Sequence, residues 1–325
     1  MAMPAKITRV SKLLSKYLRR HCSDKNWLIS RRLTTSASDQ RETHFGFQSV
    51  QEDEKENKVH EVFENVAKTY DLMNDAMSCG VHRLWKDYFM EQVAPTNGTK
   101  LIDVAGGTGD IAFRFLNCVK SQNRTRGQDN NFNIEVNLGV ETNDSDRTLP
   151  LSEDNLEDKF PCHVSVCDIN QAMLDVGKER ATHHGFTRGI SWLKGNAECL
   201  PIDDNTYDLY TIAFGIRNCT HIDKVLEEAY RVLKPGGRFM CLEFSQVNNP
   251  LVQWAYDQYS FQVIPVIGQV LARDWKSYQY LVESIRQFPE QEEFAAMIRK
   301  AGFRMVSFEN LTFGVAAIHS GFKLC

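Results

Sequence analysis

The sequence predicts an α/β fold, a mostly parallel sheet with helices on both faces, completed by an antiparallel hairpin at its carboxyl end. Three observations predict it. Beyond residue 95, short β-rich runs alternate with stretches of helical period, the pattern of strand-helix-strand units. A glycine-rich turn stands between the first of those runs and the first helix. Near the end, two β-rich runs are joined by a link too short for a crossover, so they pair antiparallel.

Each element follows from its residues. Val59, Val62, Phe63 and Val66 mark one apolar helix face leading to Tyr70, and a second helix surrounds Trp85 and Phe89. Lys100 to Val104 is the first strand, followed by the glycine turn and a helix from Asp110. His163 to Asp168 is the next, followed by a helix that Asn170 caps. Ile190 to Lys194 and residues 207–214 are two further strands. Ile222, Val225, Leu226, Ala229, Val232 and Leu233 share one helix face, stopped by Pro235-Gly236-Gly237 ahead of a strand at 238–244. A helix at 290–301, ended by Gly302, leads into the hairpin runs 303–308 and 313–319.

Composition bounds the rest. The chain has 325 residues, 42% apolar and 25% charged, enough to bury a substantial core. Its 38 Lys and Arg against 42 Asp and Glu leave a net charge of −4, which supplies no footprint for nucleic acid. Nine cysteines without a C-x-x-C pair read as reduced thiols, and His183-His184 lacks the companions of a metal site. No run is long and apolar enough to span a bilayer. Residues 1–34 carry nine basic side chains and one acid, Asp24, with Leu13, Leu14 and Leu18 at helical spacing. That composition suits a mitochondrial transit peptide, assigned to residues 1–38; a basic arm on an acidic surface is the alternative. Residues 39–57 are then expected as a flexible polar segment and 58–325 as the folded domain. Residues 121–160, with nine acids and four bases, read as a polar surface insert.

The chemistry centres on Asp103-Val104-Ala105-Gly106-Gly107-Thr108-Gly109-Asp110, directly after a strand and before a helix. Glycines there let the backbone approach a ligand and free the helix amino terminus, although a purely structural turn would use them too. Residues 107–112 also fit the loose dinucleotide pattern G-x-G-x-x-A. Asp168 ends the second strand, where an acid accepts hydrogen bonds from a ribose diol. Gly195 to Pro201 brings Asn196 and Ala197 to the place of an adenine, and Arg231 to Gly237 leads into the fifth strand.

These features together resemble a class I S-adenosylmethionine-dependent methyltransferase, a Rossmann-like fold. Two stretches are more specific. Tyr70-Asp71-Leu72-Met73-Asn74-Asp75-Ala76-Met77-Ser78, continuing to His82 and Trp85, and residues 231–245 (RVLKPGGRFMCLEFS) resemble the two signatures of the ubiquinone/menaquinone C-methyltransferases. The likeness covers residues 58–325 apart from the insert, which departs from the family's bacterial members. With a mitochondrial address, it implies the ubiquinone branch. The resemblance implies S-adenosylmethionine contacts at Thr108, Asp168, Asn196 and Ala197; Gly107 and Gly109 join them on the backbone argument.

It also implies C-methylation of a polyprenyl benzoquinol. Such a reaction needs a phenolate, an aligned ring and a positive group facing the phenolate oxygen. Arg217, just after the fourth strand, is the first choice, with Asn218 beside it and Tyr70 folding over. Since arginine stays protonated, it would stabilise the phenolate or position water, unless it only pairs with a surface acid. His82 and His221 are the alternative bases, His82 more as a structural residue. The apolar stretch from Phe261 through Ile264 and Ile267 to Leu271 would line a channel for the tail, face a membrane, pack in the core or form a homodimer contact. Peripheral attachment to the inner membrane on the matrix side, within a multi-subunit coenzyme Q biosynthesis complex, completes the expectation. A non-catalytic scaffold and an NAD-dependent oxidoreductase are the competing readings.

Overall fold

A computed structural model describes residues 42–66, 74–75, 78, 80–129, 162–247, 249–264, 266, 269 and 275–324. The transit peptide, Tyr70 and most of its signature, and the insert beyond residue 129 lie outside these residues.

The elements are β1 (Glu42–Phe45), β2 (Gln48–Gln51), α1 (Glu52–Val66), α2 (Val81–Val93), β3 (Lys100–Val104), α3 (Asp110–Asp129), β4 (His163–Asp168), α4 (Gln171–His183), β5 (Ile190–Lys194), β6 (Tyr207–Ala213), α5 (Ile222–Val232), β7 (Leu233–Phe244), α6 (Pro250–Gln258), α7 (Trp275–Gln287), α8 (Gln291–Lys300), β8 (Arg304–Leu311) and β9 (Ala316–Phe322). Seven strands form one sheet in the order β5-β4-β3-β6-β7-β9-β8. The first five are parallel; β9 runs antiparallel to both β7 and β8. The expected mostly parallel sheet with its carboxyl-terminal antiparallel hairpin is therefore present.

Alternation along the strands divides the core. Leu101 joins Phe89, Phe115, Leu116, Val164 and Leu174 on one face, while Ile102 and Val104 join Ile212, Val225, Leu226 and Phe239 on the other. The order of strands reverses between β3 and β6, so α3 and α4 cover one face and α5 the other. That reversal opens a crevice at the carboxyl ends of the strands. Helix α5 buries Val225, Leu226, Ala229 and Val232 fully, each Val or Leu contributing roughly 1.5–3 kcal/mol.

Several expectations need correction. The segment 39–57 is ordered from Glu42: β1 and β2 form a hairpin around Gly46, whose φ of +58° suits the turn, and α1 begins at Glu52 rather than near 58. Its polarity reflects a mostly exposed hairpin held at one side. Helix α3 continues past residue 121 to Asp129, so the expected insert begins as helix. Helix α5 ends at Val232 because Leu233 turns extended and pairs with Tyr207; Pro235-Gly236-Gly237 lies inside β7 beside a register shift. Helices α6 and α7 were not expected. Asn249 caps α6 by accepting from the amides of Leu251 and Val252, with Pro250 in the first turn. Cys118, Cys162, Cys167, Cys219 and Cys241 are free thiols.

Candidate active site

The ends of β3 and β6 break in the same way. Ala105 (φ +51°) and Phe214 (φ +56°) take left-handed conformations and throw the chain out of the sheet. Behind them, a Cβ on Gly215 would lie 2.4 Å from the Ala105 Cβ, so only glycine lets the two strand ends approach. Between them opens a cavity of about 690 Å³.

One end of the cavity is the glycine turn. The Gly107 amide donates to Asp168 Oδ2 (2.9 Å) and the Asn170 amide to Asp168 Oδ1 (2.8 Å), which locks the carboxylate at the end of β4. Asn170 caps α4, as expected, through the amides of Ala172 and Met173. Burial raises the Asp168 carboxyl, opposed by those amides. Thr108 is buried and its Oγ1 accepts from Arg180 (2.7 Å), leaving its own O–H to donate. Asn196 Oδ1 accepts from the Glu198 amide (2.9 Å) in a short turn that brings Ala197 to the wall. Gly109 departs from expectation. It does not line the cavity; a Cβ there would point at Trp192 and Phe113, so its φ of +83° serves the helix entry and core packing.

Asp103 lies under this turn. Oδ1 accepts from Thr211 (2.8 Å), Oδ2 has no partner among the described residues, and burial pushes the carboxyl up to about 7. A buried, orphaned acceptor lining a cavity fits a ligand that brings positive charge, which would favour its ionised form. Together with the ribose-type acid at Asp168 and the cavity-lining glycines Gly106 and Gly107, these residues fit S-adenosylmethionine.

The other end is aromatic. Trp85, Phe214, Phe244, Tyr256 and Tyr259 line it, with Ile264 and Leu281 farther out. Trp85 Nε1 donates to Thr312 Oγ1 (2.8 Å), and its ring meets Phe244 edge-on. Arg217 and Asn218 enter on a short turn, Ile216–Asn218, directly after β6. Arg217 Nη1 donates to Glu243 Oε1 (2.9 Å) and to the Phe214 carbonyl (2.6 Å). Both side chains of this pair are nearly inaccessible, at 5% and 1% exposure, so the arginine's partner is a core acid rather than a surface one. Arg217 Nε is buried without a partner among the described residues.

Sequence reasoning missed Glu243, Glu198 and the aromatic wall. Glu243 carried a signal, a lone acid within an apolar strand run, which implies a buried and paired charge. Glu198 occupies His221: its carboxylate accepts from the His221 and Thr220 amides and meets Nδ1 at 2.8 Å, while Glu52 meets Nε2 at 3.0 Å. With both ring nitrogens engaged, His221 is not a base for a substrate. His82 also lines the cavity, and its Nε2 is bound to Asp75 (2.8 Å). The apolar stretch divides: Ile264 is buried against the cavity, Phe261, Val263 and Val266 are exposed, and Ile267, Val270 and Leu271 lie outside the described residues.

Comparison with known proteins bears on this geometry. The bovine (Bos taurus) mitochondrial 2-methoxy-6-polyprenyl-1,4-benzoquinol methylase is 59% identical over 91% of this chain and 88% of its own length. Its human (Homo sapiens) counterpart is also 59% identical, over 91% and 89%. The Drosophila melanogaster protein of the same name is 55% identical over 88% and 86%. The model of the ubiE/COQ5 methyltransferase family matches residues 51–323, from the end of the amino-terminal hairpin to the last residues after β9. A glycine-turn crevice and an arginine-bearing aromatic end thus occur in a chain that, over most of its length, belongs to the ubiE/COQ5 methyltransferase family.

Proposed function

We propose that this chain transfers a methyl group from S-adenosylmethionine to a ring carbon of a 2-methoxy-6-polyprenyl-1,4-benzoquinol, the compound in the relatives' names, in ubiquinone synthesis. Family membership makes it a methyltransferase, and its methyl donor is S-adenosylmethionine. The observation that carries the substrate reading is the continuity of the cavity, which joins the polar glycine turn to an aromatic end bearing Arg217 and Asn218.

When bound, S-adenosylmethionine supplies an electrophilic methyl group on a sulfonium. Asp168 would hold it at the ribose, Gly107 and Thr108 along the turn, and Asn196 with Ala197 at the adenine end; Gly109 supports the turn from behind. At the aromatic end the rings exclude water and align the quinol. A quinol hydroxyl that gives its proton to solvent becomes an electron-donating phenolate, which activates the neighbouring carbon; that carbon gains the methyl group as the methyl–sulfur bond breaks, with the electron pair left on sulfur, and then gives up its own proton to solvent as the ring regains aromaticity. Arg217 remains protonated and faces that oxygen, its charge held in place by Glu243. Asn218 adds a neutral hydrogen bond; Tyr70, the third residue expected to act in catalysis, lies outside the described residues.

The relatives are named mitochondrial, in agreement with the transit-peptide reading of residues 1–38. No helix among the described residues is long and apolar enough to cross a membrane. We place the protein peripherally on the matrix side of the inner membrane. The segment that lines the cavity with Tyr259 and Ile264 also exposes Phe261, Val263 and Val266, beside exposed Leu251, Trp254 and Trp275. That arrangement suits a tail threaded from lipid, since each CH₂ drawn into water would cost about 0.8 kcal/mol. A second copy or subunits of a coenzyme Q complex would attach to the same apolar surface.

The test is S-adenosylmethionine-dependent turnover of a short-tailed 2-methoxy-6-prenyl-1,4-benzoquinol under reducing conditions. Methylation at ring carbon is expected, lost through cofactor affinity in Asp168→Ala and through kcat in Arg217→Ala. Cofactor binding with no turnover in the presence of membranes would favour a scaffold, and absence of cofactor binding would overturn the reading.

A further inference from the structure

The amino-terminal hairpin and α7 meet Asn218 from behind. Tyr280 of α7 donates its phenolic O–H to Asn218 Oδ1 at 3.0 Å. The Tyr280 ring is stacked on Phe45 of β1, with centroids 4.2 Å apart and planes 12° from parallel. Hairpin and helix are tied again where the Phe47 amide donates to Glu283 Oε2 (3.0 Å). Gly46 must pass so close to that carboxylate that an added Cβ would lie 2.2 Å from Oε2. Two further ties reach the residues just after Asn218: Lys55 Nζ donates to the Cys219 carbonyl (3.0 Å), and Glu52 meets His221.

A primary amide has one accepting end and one donating end. With Oδ1 turned toward α7 by the Tyr280 O–H, the opposite end of the Asn218 amide is its NH₂. That group has no protein partner among the described residues, and Asn218 lines the main cavity but not the small one behind it, which Tyr280 lines. Beside it, Arg217 can only donate. The wall formed by residues 217 and 218 therefore offers an oxygen nothing but N–H groups, an arrangement that favours an ionised hydroxyl over a neutral one.

We propose that Tyr280 is a positioning residue which, held by Phe45 of the amino-terminal hairpin, fixes the Asn218 amide with its N–H groups toward the substrate's phenolate oxygen. This rests on the placement of the phenolate at Arg217 and Asn218 above. The hairpin becomes part of the site without touching substrate. The phenol of Tyr280 suits this task, since burial keeps it protonated and therefore a donor.

The experiment compares full-length wild type with Tyr280→Phe, Asn218→Ala, the double variant and Phe45→Leu, measuring kcat across pH and S-adenosylmethionine affinity by calorimetry. Tyr280→Phe keeps the stacked ring and loses only the hydroxyl. It is expected to lower kcat about fivefold to tenfold, the worth of one neutral hydrogen bond. Cofactor affinity should be unchanged, and the acid limb of the pH-rate profile should move to higher pH, because the bound hydroxyl ionises less readily. The double variant should be no slower than Asn218→Ala alone, and Phe45→Leu should shift the profile in the same direction by less. A wild-type kcat and pH profile in Tyr280→Phe, or additive losses in the double variant, would overturn the inference while leaving the phenolate site intact. Full kcat in both Asn218→Ala and Arg217→Ala would overturn the phenolate placement itself, and the inference with it.

Discussion

The two ends of the cavity are built by different means. At the glycine turn most contacts are short in sequence or involve backbone: the Gly107 and Asn170 amides hold Asp168, the Gly106 amide reaches the Cys167 carbonyl, and Asn170 caps its own helix, with Thr211 on Asp103 and Arg180 on Thr108 as the long-range side-chain contacts. At the Arg217 end the contacts are between side chains from distant elements: Glu243 of β7 holds Arg217, Tyr280 of α7 holds Asn218, and Thr312 holds Trp85. A backbone-built site survives the loss of one side chain with its shape intact. A cross-braced site loses shape and chemistry together, because each brace is also a buried polar group that needs its partner.

The largest effect that would sharpen this contrast is on stability. Glu243→Ala leaves the Arg217 guanidinium buried without its carboxylate, and should cost about 3–5 kcal/mol of unfolding free energy measured by urea titration. Asp168→Ala, at the backbone-built end, should lose cofactor affinity on the order of 100-fold with a much smaller stability loss. Equal losses of stability in the two would break the comparison.

Next in size is a pH effect confined to the glycine-turn end. Burial raises the folded Asp103 carboxyl from 3.8 to about 7, so between those values the folded chain holds a proton that the unfolded chain has released. This group's contribution to stability therefore falls as pH rises through that window, and the penalty is complete above it. Asp103→Asn keeps an acceptor for Thr211 and removes the titration. Its thermal stability should gain on wild type by a few kcal/mol from about pH 5 to about pH 8, and bound S-adenosylmethionine should shrink the gain.

Where the two ends share backbone, they should fail together. Gly215→Ala would force its Cβ onto Ala105, and is expected to cost about 1–3 kcal/mol and to weaken both cofactor binding and turnover. The smallest effect belongs to Trp85→Phe, which keeps the aromatic wall and drops the bond to Thr312. About 1 kcal/mol of stability should be lost, with S-adenosylmethionine affinity unchanged in calorimetry.

Much of the architecture is legible in the sequence because it is decided within a few residues. The glycine turn, the Asn170 cap and the apolar face of α5 each announce themselves locally. The Asn249-Pro250 start of α6 carries the same kind of local signal, yet neither α6 nor α7 is expected from the sequence pattern. Gly109 shows the limit. Its spacing in the turn matches a ligand contact, yet its α-carbon faces Trp192, a residue of β5 that no local pattern connects to it. Residues 42–57 show it again: their polarity is that of a solvent-facing hairpin as much as of a loose tail, and long-range contacts such as Phe45 against Tyr280, Phe47 against Glu283 and Lys55 against Cys219 separate the two.

By itself, then, the sequence determined the order of strands and helices from β3 to β7 and from α8 to β9, the crevice at the carboxyl ends of β3 and β6, and the acid and glycines set there, since period, cap and turn chemistry act over one or two turns of chain. Tertiary structure alone decided which groups brace Arg217 and Asn218, that His221 is held between Glu198 and Glu52, and that the amino-terminal hairpin reaches the site. Those contacts join residues from 23 to 236 positions apart, and a buried charge or amide announces in sequence that it needs a partner without saying which one the fold will bring.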